Sequence, residues 1–228
     1  MLAFIDMQRS RSESPSGYLA PRRSLKLRRL RRRDLPLDAT QLAQFLIGCA
    51  IVSDLAPRRV VARITETEAY LPGDAAAHSF RGQTRRNASL FLRRGHAYVY
   101  FIYGNHYCLN VSGADAGVGA GVLLRAAEPL EGIECVRQRR GLVADRDLLR
   151  GPGRLAQGLG VTLAEDGADL TASGPLWLAA PFGAPAKIGR SVRIGISKEA
   201  DRPLRFFELG SAHLSGPKIL NGGCHRPF

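Results

Sequence analysis

From Val60 to Tyr70 the chain alternates with period 2, and this run restricts the fold more than any other part of it. An extended strand places Val60, Ala62, Ile64, Glu66, Glu68 and Tyr70 on one side, opposite Val61, Arg63 and Thr65. That side begins apolar, so it points to a core, and it ends in two carboxylates and a tyrosine. Like charges on one strand face repel and are costly to bury. A fold keeps such a pair only with a cationic partner or for a chemical task. A carboxylate at the margin of an apolar wall has a raised pKa, which suits a general base.

With 228 residues, one domain with a full core is expected. No apolar run approaches the roughly 20 residues needed to span a bilayer. The apolar start, Leu2 to Ile5, stops at Asp6, which argues against a secretory signal and for an intracellular protein. Cys49, Cys108, Cys135 and Cys224 form no Cys-x-x-Cys pair, and no His-rich spacing accompanies them. Buried free thiols are the expectation, with no metal site and no cofactor. The net charge of +13 points to a polyanionic partner, and much of it lies early: residues 1–33 hold ten Arg or Lys against Asp6 and Glu13. No amphipathic apolar face accompanies that charge, so nucleic acid is favoured over a membrane surface.

Residues 1–33 are rich in Ser, Pro and Arg and read as a disordered basic arm that adds sequence-independent phosphate affinity. A solvated extension, or an upstream start codon, explains the same composition equally well. Asp38 is placed to cap a helix carrying Leu42, Phe45, Leu46 and Cys49 on one stripe. A strand follows over 59–69, then a Gly- and Arg-rich loop from Pro72 to Asn87. The aromatic and β-branched run 97–103, the turn signal Gly104-Asn105 and Tyr107–Ser112 predict a hairpin. Gly121–Ala126 predicts a strand and Glu128–Arg139 a helix. Gly151-Pro152-Gly153 suits a helix start. Further strands are expected at Leu176–Ala179 and Val192–Ile196, and a loose tail from about Ser211. The fold class is mixed α/β: one compact domain over 34–210, with a curved, mainly antiparallel sheet and flanking helices.

Taken singly, the candidate functional residues have ordinary structural explanations. Glu68 suits a structural ion pair with Arg125, His78 fits a satisfied histidine, Tyr98 and Tyr100 share a strand face and suit a core, and Thr84–Asn87 fits a solvated basic loop. Asn110 is disfavoured in a strand by propensity, which hints at a use for its amide. Together they are narrower. Aromatics in a basic protein stack on bases, a tyrosine at a hairpin tip can wedge into a duplex, and a carboxylate beside a stacking pocket can activate water. No phosphate-cradling loop or metal-ligand set competes. The sum is an enzyme that unstacks a base and hydrolyses a bond to it.

At these residues the sequence resembles the alkyladenine (3-methyladenine) DNA glycosylase family. The resemblance is carried by Glu66-Thr67-Glu68-Ala69-Tyr70, Ala76-Ala77-His78-Ser79, Thr84-Arg85-Arg86-Asn87, Tyr98-Val99-Tyr100-Phe101-Ile102-Tyr103-Gly104, Cys108-Leu109-Asn110-Val111 and Val122-Leu123-Leu124-Arg125-Ala126. Glu128–Gly132, Gly151–Leu155 and Arg202–Phe206 extend it, so that it covers about residues 36–210. It implies that Glu68 is the general base and that Arg125 helps hold the water and the target nucleotide. Tyr70, His78 and Tyr100 resemble the walls around a flipped base, and Tyr103 the wedge that fills the gap left in the duplex. Asn110 resembles the residue that crowds the 2-amino group of normal guanine. Thr84, Arg85, Arg86 and Asn87 fall where contacts to the DNA backbone are expected. Asn105 and His106 depart from the family pattern, which often has an apolar residue after Gly104.

The resemblance implies a monofunctional enzyme that acts on double-stranded DNA containing alkylated or deaminated purines, as a monomer, without cofactor or membrane. No lysine lies between Glu66 and Arg125, so water rather than an amine is the expected nucleophile. The Arg-, Ala- and Gly-rich usage favours a high-GC bacterium, and hence the cytoplasm and nucleoid; a eukaryotic source would imply the nucleus. Two competing readings need no catalysis. One is a nucleic-acid-binding module built on stacking and charge; the other is an RNA-associated structural protein that relies on the basic arm.

Overall fold

The computed structural model describes residues 25–55, 58–181, 183 and 186–222. Eight strands among these residues form one curled antiparallel sheet, with three short helices against it. The long strands β2 (Val60–Tyr70) and β5 (Gly121–Glu131) pair along their length and form its spine. The hairpin of β3 (Ala97–Ile102) and β4 (His106–Ser112) joins the start of β5. On the other side of β2, β1 (Ala50–Ser53) pairs with its first half and with β6 (Leu176–Ala179). β8 (Arg205–Glu208) pairs with its second half and with β7 (Ile188–Ser191). The branch curls the sheet around the main core.

That core is Leu42 and Leu46 of α1 (Ala39–Leu46), Leu155 and Leu159 of α3 (Pro152–Leu159), and inward residues of β2 and β5 such as Ile64 and Leu124. Asp38 caps α1 as expected, its Oδ1 accepting from the Gln41 amide at 2.9 Å. α3 starts at Gly151-Pro152-Gly153, where proline at N1 suits its fixed φ. Gly153 lets His106 approach: a Cβ there would lie 3.0 Å from the ring. Cys49, Cys108 and Cys135 are buried free thiols, while Cys224 lies outside the described residues. No helix among the described residues is long and apolar enough to cross a membrane, and none of their His, Cys, Asp and Glu side chains cluster in threes that could hold a metal.

The single face expected for β2 is broken. Ile64 pairs with Ala127 and Glu66 with Ala126, so Thr65 is an extra residue on β2; Arg125 is then skipped on β5 before Thr67 pairs with Leu124. Val60, Ala62 and Ile64 face the main core, yet beyond the bulge so do Thr67, which donates to the Ala43 carbonyl of α1, and Ala69. Glu66, Glu68 and Tyr70 are therefore turned to the opposite face. A bulge inverts the phase of a strand and re-aims its side chains.

Other expectations are corrected by the structure. Glu128–Glu131 continues β5, since pairing with Val61–Arg63 overrides helix propensity; α2 (Ile133–Arg140) begins after Gly132. At Gly132 φ is +72° and a Cβ would meet the Arg59 carbonyl at 2.3 Å. The strand expected at Val192–Ile196 lies earlier, as β7, and 192–196 is a loop turning at Gly195. Residues 1–24 of the expected basic arm lie outside the described residues, but 25–33 pack on the body: Leu30 is buried and its amide donates to Leu178. The tail expected to be loose from Ser211 is anchored too, with Leu214 and Ser215 buried; residues 223–228 lie outside the described residues.

Candidate active site

The reversed face of β2 meets the bulge of β5 in a buried group of two carboxylates and two guanidinium groups. Glu66 accepts from Arg125 Nε at 2.9 Å, Arg205 Nε at 2.7 Å, the Ser215 hydroxyl at 2.8 Å and the Ser215 amide at 2.5 Å. Three of these donors share Oε1 and one reaches Oε2, so both guanidinium groups are held on a single carboxylate oxygen. Glu68 accepts from the Ile194 amide at 2.8 Å and the Tyr70 hydroxyl at 3.0 Å, and its Oε1 lies 3.1 Å from Arg125 Nη1.

Both carboxylates are fully buried, and their ionisation is driven apart. Burial pushes Glu66 up, but Arg125, Arg205 and the Ser215 amide outweigh it and hold Glu66 below the usual carboxylate range. Burial also pushes Glu68 up; the pull of Arg125, the Ile194 amide and Tyr70 does not cancel it, and Glu66 adds to the rise. Two titratable groups pushed in opposite directions is the pattern that separates a structural charge from a proton acceptor.

A cavity of about 340 Å³ opens beside Glu68, within the range of small-molecule sites. Glu68 is not itself a wall, but each of its three donors (Tyr70, Arg125 and Ile194) belongs to residues that line the cavity. Across the cavity stand His78 and Tyr100, edge to face with centroids 4.4 Å apart. His78 Nδ1 is 2.8 Å from the hydroxyl of Tyr98, an almost fully buried residue whose phenol burial pushes up to about 12. Burial, helped by Arg86, lowers His78, so its ring is neutral near pH 7. Asn110 lines the floor, its amide donating to the Tyr98 carbonyl at 3.2 Å.

Tyr103 stands at the hairpin tip on the cavity rim, 82% exposed and with φ of +54°, unusual for a bulky residue. Arg85 and Arg86 are exposed in the neighbouring loop, and Arg86 also donates to the Phe101 carbonyl at 3.3 Å. Thr84 is exposed as well. Asn87 is not: it is buried, donates to the carbonyls of His78 and Gly82, and accepts from the amide and hydroxyl of Thr84. Its side chain is spent on the loop, so it shapes this surface rather than reaching outward.

The fold thus gathers Glu68, Arg125, Tyr70, His78, Tyr100, Asn110 and Tyr103 around one cavity. Several working residues escaped the sequence reading. The Ile194 amide and Ser215 were unreadable because loops bring them in. Tyr98 had a trace of a signal in its period-2 spacing from Tyr100. Asp74 and Arg193 had none, although their fully buried ion pair ties the loop before His78 to the loop bearing Ile194. Arg193 also donates to the Ala69 carbonyl at 3.1 Å and lies over the Tyr70 ring at 4.7 Å.

A buried acid of raised pKa next to an aromatic slot, with an exposed tyrosine on its rim, suits hydrolysis of a bond to a planar group. Comparison with known proteins makes the class specific. The model of the methylpurine-DNA glycosylase family matches residues 34–212, and the chain belongs to that family. A protein of Mesorhizobium japonicum named "Putative 3-methyladenine DNA glycosylase" is 56% identical over 189 residues, which are 83% of this chain and 91% of that protein. Proteins of the same name from Paraburkholderia phytofirmans and Methanoculleus marisnigri are 50% and 44% identical, over 84% and 78% of this chain and 90% and 94% of their own lengths. The protein is a DNA glycosylase of base excision repair, a hydrolase of N-glycosyl bonds, and its substrate is DNA.

Proposed function

We propose that this glycosylase is monofunctional, works as a monomer, and excises alkylated or deaminated purines from duplex DNA with Glu68 as the general base. The observation that carries this reading is the contrast between the two glutamates. Glu66 is bonded to both guanidinium groups and held ionised, whereas Glu68, whose contacts all come from residues lining the cavity, has a raised pKa. Glu68 takes the proton of a water aimed at the anomeric carbon, and its charge then faces the positive charge developing on the sugar. Arg125 holds Glu68 and the incoming nucleotide. Tyr70, His78 and Tyr100 enclose the extruded base, Asn110 sits where an extra amino group would crowd, and Tyr103 fills the gap in the duplex. Thr84, Arg85 and Arg86 contact the DNA backbone.

A ring-alkylated purine is already cationic, so the bond to it breaks with little help from an acid, and a neutral His78 fits such a substrate. With water as nucleophile the product is an abasic site and a free base. The test is a single-turnover assay on duplexes carrying one hypoxanthine, ethenoadenine or 7-methylguanine. Strand cleavage should appear only after alkali. Cleavage without alkali would refute the monofunctional route, and binding with no base release from any of the three would favour a binding module.

A further inference from the structure

Beyond the residues matched by the family's model, the chain runs behind the two glutamates and touches two of Glu68's three partners, Arg125 and Ile194. Ser215 Oγ donates to Glu66 at 2.8 Å and accepts from Arg125 Nη2 at 3.2 Å. The nitrogens of Arg125 are thereby divided: Nε to Glu66, Nη2 to Ser215 and Nη1 to Glu68. One residue on, Gly216 has φ of +73°, and a Cβ there would lie 2.4 Å from Ile194 Cδ1. Ile194 supplies the amide that Glu68 accepts. The segment is itself fixed by charge. Arg205, fully buried, donates to the carbonyls of Ser215 and Leu220 and to Asn221 Oδ1, and Arg150 Nε donates to the Leu214 carbonyl.

We propose that residues 214–221 form a latch that positions the general base, with Ser215 as the positioning residue: it locks Arg125 so that Nη1 stays on Glu68. The proposal rests on Glu68 being the base. Ser215 does not bond to Glu68 and does not itself line the cavity, so it acts through Arg125, which does both. The charged and titratable groups facing Glu68 are Glu66 and Tyr70 of β2, Arg125 of β5, Arg205 of β8, paired to it in register, and Arg193 beyond Tyr70. Freed from Ser215, Arg125 supports the Glu68 carboxylate less well, and Glu68 then binds its proton at higher pH.

The experiment compares full-length wild type, Ser215→Ala and Ser215→Thr by single-turnover excision across pH, affinity for the damaged duplex, and thermal melting. For Ser215→Ala the rate should fall about tenfold, the effect of one lost hydrogen bond to a charged group, with affinity unchanged within about twofold. The acid limb of its pH profile should move to higher pH, and Ser215→Thr, which keeps the hydroxyl, should restore both. An unmoved limb overturns the latch, as does a rate loss that only tracks the folded fraction or one that threonine fails to rescue. Should Ser215→Ala not fold, Gly216→Ala displaces Ile194 from the other side and should raise the same limb; an unmoved limb there counts against the proposal equally. Failure of the underlying reading shows separately, as excision by Glu68→Gln.

Discussion

The two glutamates of β2 are chemically identical and two residues apart, yet the same substitution should give opposite results. Glu66→Gln removes the sole carboxylate partner of Arg205 among the described residues and one of two partners of Arg125. Arg205 is fully buried, and Arg125 is nearly so, open only toward the cavity. Breaking a buried pair from one side costs about 3–5 kcal/mol, because the stranded charge remains. That is a large share of the 5–15 kcal/mol that holds a typical domain, and in a chain of this size it lowers Tm by roughly 10 °C. Glu68→Gln leaves Glu66 bonded to both arginines and removes a carboxylate that its surroundings already disfavour, so Tm should change by no more than about 3 °C in either direction. The activities run the other way: Glu68→Gln loses excision, while folded Glu66→Gln retains a measurable rate. Melting curves and single-turnover rates on both variants decide the matter. Equal destabilisation by the two substitutions, or a stable Glu66→Gln with no activity, would refute the division between structural charge and base.

Other outcomes follow from the same geometry. The acid limb of the wild-type excision profile should lie above the ordinary carboxylate range, because Glu68 must be ionised and its pKa is raised; a single-turnover rate still at its plateau near pH 4 would contradict this. Stability behaves in the opposite sense for Glu66, whose lowered folded pKa gives a contribution present above its unfolded value and lost as pH falls through the folded one. Urea titrations from pH 6 downward should therefore show progressive weakening below about pH 4.5. Tyr103→Gly relieves a left-handed backbone, so Tm should hold or rise by a few degrees, roughly 1 kcal/mol, while excision from duplex DNA slows. A slower rate accompanied by a falling Tm would assign Tyr103 a structural role. Asp74→Asn strands Arg193 beneath Tyr70 and between the two loops; weaker binding of damaged duplex together with a lower Tm is expected, and an unchanged Tm would show that the pair does not clamp them.

What could be read from sequence was what period and spacing encode. The strand ending in Glu68 and Tyr70, the hairpin with Tyr103 at its tip and the Asp38 cap all depend on neighbours within a few positions. The face of β2 did not survive, because a bulge is set by the partner strand: Thr65 has no local mark of being an extra residue, and the skipped partner is Arg125, sixty positions later. Glu128–Glu131 carried helix propensity that pairing with β2 overruled. Ser215 and the Ile194 amide reach Glu66 and Glu68 from loops more than a hundred residues away, and a Gly- and Pro-rich segment looks loose until the buried Arg205 claims its carbonyls. Asn87 looked like a phosphate contact for the opposite reason: its basic neighbours are exposed, and nothing in the sequence shows that its own amide is consumed inside the loop.

The claim at the centre of this account is that Glu68 performs the chemistry without being needed for recognition. The most direct measurement pairs the affinity of Glu68→Gln for a duplex carrying one damaged purine with its single-turnover rate on that duplex. Affinity within a few-fold of wild type, with no abasic sites revealed by alkali, is the predicted result. Excision at the wild-type rate would remove Glu68 as the base, and loss of binding along with activity would make it part of the recognition surface instead.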